Sequence, residues 1–213
     1  MSAPGPVVFV VDDEDAVRRA LCRLIGAAGY RVQAFGSAAE FLRDRPSLDG
    51  AACLVLDVQM PELGGLELQR ELSAANASLP IIFLTGHGDI AMTVRAMKAG
   101  AIDFLAKPVD DVDLLQAVET AVRQAARAEA ARAELDSIRK RLARLTPRER
   151  EVLGLLLGGR LNKQAAYELG IAEKTIKVHR ARVMEKMEAQ SLVELARAAD
   201  KAGLPYSPSR PGR

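Results

Sequence analysis

Two cysteines are all this sequence holds, Cys22 and Cys53, and neither has a Cys or His partner at a metal-ligand spacing. That speaks against a structural zinc site and predicts free thiols in a reducing cytoplasm. No apolar run approaches the ~18 residues that a membrane span needs, so no membrane partner is expected. Met1–Pro6 carries no basic cluster, and the apolar run behind it stops at Asp12 and Asp13. No signal peptide is therefore expected. After residue 122 there is no second acidic site and no Gly-rich phosphate loop. An output enzyme such as a cyclase or phosphodiesterase is disfavoured on that ground.

What is present suits one or two globular domains: 213 residues, 49% apolar and 27% charged. The net charge of +2 hides an asymmetry. Residues 1–122 carry −7, residues 123–140 carry +2 and residues 141–213 carry +7. An acidic half joined to a basic half predicts two domains, the second meeting a polyanion.

The acidic half alternates between two periods. Apolar runs of strand length stand at Val7–Val11, Cys53–Leu56, Ile81–Leu84 and Ile102–Leu105, with a weaker one at Arg31–Phe35. Helix-like stretches lie between them, at Ala16–Ala28, Ala38–Arg43, Leu66–Ala75 and Ile90–Ala99. Such alternation predicts a parallel sheet with helices on both faces. Ser37 with Glu40 fits a capping box, and Gly29 and Gly100 fit helix C-terminal positions. From Val112 to Leu145 Ala, Glu, Arg, Leu and Gln dominate without Gly or Pro, predicting one long helix or two in tandem. Thr146-Pro147-Arg148-Glu149 then supplies a cap, a first-turn proline and an acid three residues after the cap. Helices are expected at about 148–157, 163–169 and 174–187, and a fourth from the Ser191/Glu194 capping box to near Gly203. The tail from Pro205, rich in Pro and Arg, is expected to be disordered.

In a parallel sheet, ligands sit beyond the carboxyl ends of the strands. The first strand ends at Asp12 and Asp13, the third at Asp57, the fourth at Thr85 and Gly86, the fifth near Lys107 and Pro108. Three carboxylates, a hydroxyl and an ammonium thus converge on one edge. Close carboxylates repel unless a cation joins them, and oxygen ligands suit Mg²⁺ better than zinc. Such an ion can orient a phosphoryl group and screen its charge.

On Val10-Val11-Asp12-Asp13-Glu14, Leu56-Asp57-Val58-Gln59-Met60-Pro61, Leu84-Thr85-Gly86 and Lys107-Pro108, residues 6–122 resemble the receiver domain of two-component response regulators. The resemblance implies a flavodoxin-like α/β fold, a five-stranded doubly wound parallel sheet. It implies Asp57 as phosphoacceptor, with Thr85 and Lys107 binding the phosphoryl group. Asp13, Asp57 and the backbone carbonyl of Gln59 would hold Mg²⁺ (or Mn²⁺), and Asp12 would act through water. Phe104 matches the aromatic that turns inward when the threonine moves. Gln59 and His87 match positions at the pocket mouth that tune phosphate lifetime. It also implies a cis Lys107-Pro108 bond.

The basic half has the form of a helix-turn-helix. Asn162 opens a helix ending at Gly170, Ile171 packs the turn, and a second helix carries Lys174, Lys177, Arg180, Arg182 and Lys186. Ile176, Val183 and Met187 recur on one face and should be buried. The open side is then available to phosphates and base edges. On Leu145-Thr146-Pro147-Arg148-Glu149, Asn162-Lys163, Glu168-Leu169-Gly170-Ile171 and Thr175-Ile176-Lys177-Val178-His179-Arg180, residues 144–203 resemble the LuxR-type DNA-binding domain. The whole chain resembles the NarL/FixJ family, closest to the FixJ branch. Lys163, Lys174, Thr175, Lys177, Val178, His179, Arg180, Arg182 and Lys186 are the DNA contacts it implies. Two positions depart from the pattern. Ala172 stands where a Ser or Thr usually caps the recognition helix, and Ala165 stands where a larger aliphatic is usual.

The expected architecture is therefore a receiver at 6–122, a helical linker at 123–143, an all-α four-helix DNA-binding domain at 144–203 and a tail at 204–213. The implied protein is a cytoplasmic transcription factor, not an enzyme beyond assisting its own phosphorylation. Its expected partners are a histidine kinase, double-stranded DNA, a second copy on phosphorylation and RNA polymerase. The alternative is a phosphorylation-independent regulator or interaction adaptor on the same fold.

Overall fold

The structure is a computed structural model that describes residues 6–44, 51–75, 79–86 and 90–204. His87 and the tail from Pro205 lie outside the described residues. The chain divides into two compact units between Glu129 and Ala130.

The first unit alternates strand and helix: β1 (Val7–Val11), α1 (Asp15–Ala27), β2 (Arg31–Phe35), α2 (Ala38–Asp44), β3 (Ala51–Asp57), α3 (Gly65–Ala74), β4 (Ile81–Thr85), α4 (Ile90–Lys98) and β5 (Asp103–Ala106). α5 (Asp111–Ala143) follows as one unbroken helix. The five strands are parallel in the order β2-β1-β3-β4-β5. This is the doubly wound sheet expected, and its switch point lies between β1 and β3.

Strand side chains alternate between two cores. Phe9, Val11, Leu54, Leu56 and Phe83 face one side with Leu68 and Leu72 of α3. Val8, Val10, Val55, Ile82 and Leu84 face the other, against Leu21 and Ile25 of α1 and Leu114 and Val118 of α5. Each fully buried residue of this size contributes roughly 1.5–3 kcal/mol over exposure. β2 is an edge strand in which only Phe35 is buried, which explains its weak apolar signal. Phe35 and Phe41 meet edge to face at 5.1 Å, and Phe9 and Phe41 at 5.6 Å. Cys53 is buried in this unit, which pushes its thiol up to about 12; both cysteines are free.

The second unit holds α6 (Pro147–Leu157), α7 (Asn162–Glu168), α8 (Glu173–Met187) and α9 (Leu192–Lys201). Val152, Leu153, Leu156, Ala165, Leu195 and the expected stripe of Ile176, Val183 and Met187 build its core. Ile138 of α5, inside the segment read as a linker, is buried in the same core. No helix among the described residues is long and apolar enough to cross a membrane.

The caps differ in detail from their sequence signatures. At α6 the box is complete: Glu149 N donates to Thr146 Oγ1 at 3.3 Å, and Thr146 N donates to Glu149 Oε2 at 2.8 Å. At α2 and α9 only the hydroxyl half forms, with Ser37 and Ser191 accepting from the N–H groups of Glu40 and Glu194. The two carboxylates reach one residue further back, to Gly36 N at 2.6 Å and Gln190 N at 2.9 Å. Gly29 and Gly100 follow α1 and α4 at φ 90, the left-handed closure that glycine permits.

Glu149 also accepts from Lys186 Nζ at 2.6 Å. That contact, with the Thr146 N–H, holds its carboxyl down at about 2 against an ordinary 4.5. A depressed carboxyl stabilises the fold above its unfolded pKa and loses that contribution as pH falls toward the folded one. Wild type should therefore exceed Glu149→Gln in stability by a constant margin above pH 4.5, narrowing between 4.5 and about 2. Urea melts across that range check this; a margin unchanged down to pH 3 would refute the assignment.

Candidate functional site

Parallel strands bring their carboxyl ends to one edge, and the register fixes which ends are neighbours. Val11 pairs with Leu56, Asp57 with Leu84 and Thr85 with Ala106. Asp12 and Asp57 therefore lie side by side at the switch point. Asp12 is fully buried, Asp57 is 4% exposed, and Thr85 is buried at the end of β4. Asp13 is exposed. One carboxylate oxygen from each of Asp12, Asp13 and Asp57 lies within 4.8 Å of the others.

Lys107 closes the cluster from the end of β5. Its Nζ lies 2.7 Å from Asp57 Oδ2, 2.8 Å from Asp12 Oδ2 and 3.6 Å from Glu14 Oε1. The other two carboxylate oxygens accept backbone N–H groups, Asp57 Oδ1 from Gln59 at 3.0 Å and Asp12 Oδ1 from Glu14 at 2.9 Å. Burial pushes the Asp12 carboxyl up, and the Lys107 and Glu14 hydrogen bonds pull against it. Burial alone would lower the Lys107 ammonium, but its hydrogen bonds to Asp12 and Asp57 outweigh that and raise it. The lysine is held in place through its backbone, whose N–H donates to Thr85 O at 2.7 Å, and the Lys107-Pro108 bond is cis as the resemblance implied. Phe104 is half-buried, its ring 6.1 Å from that of Phe83. Gln59 is exposed at the edge.

Among the described residues the three carboxylates form a hard oxygen donor set, without the imidazole or thiolate that zinc favours. These residues fit a small hard cation. The ammonium of Lys107 already supplies positive charge at the same carboxylates, and it is long and flexible enough to turn toward an incoming anion.

Three residues that position this unit were not singled out from the sequence, Gly65 and Arg18 beside this edge and Gln69 toward the opposite one. A Cβ on Gly65 would stand 2.3 Å from the Asp57 carbonyl oxygen, so only glycine lets α3 start this close to β3. Arg18 Nη1 donates to Asp12 O at 2.7 Å, tying α1 to the same loop. Gln69 is 3% exposed, and its amide donates to Ala99 O at 3.2 Å beside the end of α4. The one signal available for Gly65 was a glycine pair, Gly64-Gly65, opening a helix eight residues after Asp57.

In the second unit, Lys163, Lys174, Thr175, Lys177, Val178 and Arg182 are exposed, while His179 and Arg180 are half-buried. Lys177 pairs with Glu173 at 3.2 Å, and Arg180 Nη1 donates to Asn162 Oδ1 at 3.3 Å. Lys186 differs from expectation: its ammonium turns to the buried Glu149 carboxylate rather than outward. It lies one turn beyond Arg182, where α6 packs against α8 and brings the Glu149 carboxylate within reach. Ala172 caps α8 with no side-chain acceptor, as the sequence implied. Ala165 is fully buried, so the smaller side chain is accommodated in the packed core.

Comparison with known proteins agrees with both units. Residues 8–119 match the response regulator receiver domain, and residues 143–199 match the bacterial regulatory proteins of the luxR family. Nodulation protein W of Bradyrhizobium diazoefficiens is 47% identical over 93% of this chain and 87% of its own length. Transcriptional regulatory protein FixJ of Azorhizobium caulinodans is 48% identical over 92% of this chain and 93% of its own. The solved structure of response regulator StyR superposes with a TM-score of 0.85 at 46% identity, covering 92% of this chain and 99% of that one. The fold and the strand-end cluster thus define a response regulator, a receiver followed by a LuxR-type DNA-binding domain. Within that class the chain belongs to the NarL/FixJ family, in its FixJ branch.

Gly65→Ala should destabilise the chain by about 1–3 kcal/mol, because the Asp57 carbonyl must move. Gly26→Ala, in a helix with open space at that position, should be neutral or stabilise by up to about 1 kcal/mol. Chemical denaturation of both variants decides; equal shifts would remove the close-approach account.

Proposed function

We propose that Asp57 accepts a phosphoryl group from a histidine kinase and that its modification controls DNA binding by α8. The observation that carries this is Lys107 Nζ bridging Asp57 and Asp12 at 2.7 and 2.8 Å on the edge where Thr85 also ends. Asp57 attacks phosphorus, forming a P–O bond as the P–N bond of the donor phosphohistidine breaks and the imidazole departs with the electron pair. Asp13, Asp57 and the Gln59 carbonyl would hold Mg²⁺ or Mn²⁺, with Asp12 through water, and the ion supplies charge screening at the phosphoryl oxygens. Lys107 turns from the carboxylates to a phosphoryl oxygen, and the Thr85 hydroxyl donates to another. Phe104 follows into the space beside Phe83. Gln59 and His87, which follow Asp57 and Thr85 by two residues, tune the lifetime of the modification.

The face of α4, β5 and the start of α5 then pairs with a second copy. Ile90 is 80% exposed there and Val112 71%, with Val94 and Met97 at 44%. Paired recognition helices reach successive major grooves, turning weak monomer binding into tight dimer binding. Lys163, Lys174, Thr175, Lys177, Val178, His179, Arg180 and Arg182 form the DNA face. Lys186 is left off it because of its inward ion pair. The working domain limits are 6–122, 123–143 and 144–203. The chain acts in the cytoplasm, contacts RNA polymerase at promoters, and catalyses nothing beyond its own phosphorylation and dephosphorylation.

Acetyl phosphate with Mg²⁺ should add ~80 Da to wild type and nothing to Asp57→Asn, and should tighten DNA binding only in wild type. An adduct on the variant, or an adduct on wild type without altered binding, would end this reading. Lys174→Ala should weaken DNA binding uniformly across sequences and flatten the slope of log K against log salt by about 1. An unchanged slope would take Lys174 off the phosphate backbone.

A further inference from the structure

The recognition helix α8 is packed along its apolar face, and its C-terminal end is also gripped by polar side chains of two other helices. Its N-cap, Ala172, offers no side-chain acceptor, and the residues that would read DNA follow directly: Lys174, Thr175 and Lys177. At the opposite end two side chains from other helices grip it. Glu149 of α6 takes Lys186 at 2.6 Å, and Arg141 of α5 donates from Nη1 to the main-chain oxygen of Met187 at 2.8 Å.

The Arg141 contact is the more unusual. Met187 is the last residue of α8, and its carbonyl is one of the four that a helix leaves without an internal partner. The helix dipole makes that end negative, so a guanidinium is matched to it in charge as well as in hydrogen bonding. The chain turns away at Glu188, in the left-handed conformation at φ 54, and its carboxylate lies between Arg141 at 3.7 Å and Arg144 at 3.9 Å. Arg141 itself is only 20% exposed. The helical turns that carry it are fixed in the same unit. Ile138 is 2% exposed in the core that holds Ile176, Val183 and Met187, and Glu134 pairs with Lys201 of α9 at 2.5 Å.

The geometry points to Arg141 as a positioning residue for sequence discrimination by α8, supplied by a helix segment that precedes the matched DNA-binding region. A helix rises ~1.5 Å per residue as a stiff rod, so a shift at its C-terminal end also moves the turns that carry Lys174, Thr175 and Lys177. Base-edge hydrogen bonds depend on tenths of an ångström, whereas phosphate attraction depends mainly on charge. Loosening the grip on Met187 should therefore cost discrimination more than general affinity. The inference rests on α8 reading DNA.

The test uses the full-length chain and two duplexes of equal length, one recovered by wild type from a randomised pool and one of fixed mixed sequence. Arg141→Ala should bind the recovered duplex about tenfold more weakly, the worth of one charge-assisted hydrogen bond, while the mixed duplex changes by less than about twofold. Arg141→Lys, which keeps a donor and the charge, should restore most of the preference, and Arg141→Met should not. The Lys and Met variants carry the comparison should the Ala variant fold poorly, as judged by circular dichroism and thermal melting. Equal losses on both duplexes, or an undiminished preference in the Ala and Met variants, would overturn the inference. A wild type that prefers no duplex would overturn the DNA reading itself.

Discussion

Lys107 stands between two buried carboxylates, and the first unit is organised around that contact. Burying Asp12 and Asp57 side by side is costly, because each loses water and each repels the other. One ammonium within 2.8 Å of both offsets the repulsion, and two backbone N–H groups satisfy the remaining oxygens. The parallel sheet makes this possible. It alone delivers the ends of β1, β3, β4 and β5 to one edge without any loop having to reach across. Glycine at position 65 lets α3 begin against the Asp57 backbone. The same contact leaves the site poised. The phosphoryl group proposed for Asp57 would add anionic oxygens beside the ammonium and draw Lys107 toward them.

The second unit solves a different problem, holding a basic helix firmly while keeping its basic face free. Glu149 does two tasks there. It completes the cap of α6 and anchors Lys186 of α8, so one buried carboxylate joins two helices. Arg141 grips the same end of α8 from α5. The cations left outward are those earliest in α8 together with Arg182 and Lys163 on α7. The basic charge of the second half thus has a structural counterpart in the exposed bases of the helix-turn-helix.

Much of this was legible in the sequence because strand length, helix period and chemistry coincide at the same positions. Four of the five apolar runs of the first half lead within two residues to Asp12, Asp57, Thr85 and Lys107, and in a parallel sheet those points must be neighbours. The buried stripe of Ile176, Val183 and Met187 followed from spacing alone. What escaped depended on contacts between elements distant in sequence. Gly65 matters because of a backbone eight residues earlier that packs against it, and Gln69 because of the end of α4. Lys186 read as one more outward cation, since nothing local distinguishes it from Arg182; only the packing of α6 over α8 turns it inward. The Glu40 and Glu194 carboxylates missed their expected partners by one residue, a matter of side-chain reach that spacing rules do not resolve. The part of α5 after residue 122 read as a connector, and Ile138 and Arg141 were hidden in its alanine-rich composition.

The central claim is that Lys107 leaves the carboxylates for a phosphoryl group on Asp57. A crystal structure of the full chain with Mg²⁺ and beryllium fluoride, a stable stand-in for that group, tests it most directly. The account predicts beryllium bonded to an Asp57 carboxylate oxygen, Lys107 Nζ withdrawn from Asp12 and in contact with a fluorine of that group, and Phe104 fully buried. Lys107 still bridging Asp12 and Asp57, with the anion bound elsewhere, would contradict it.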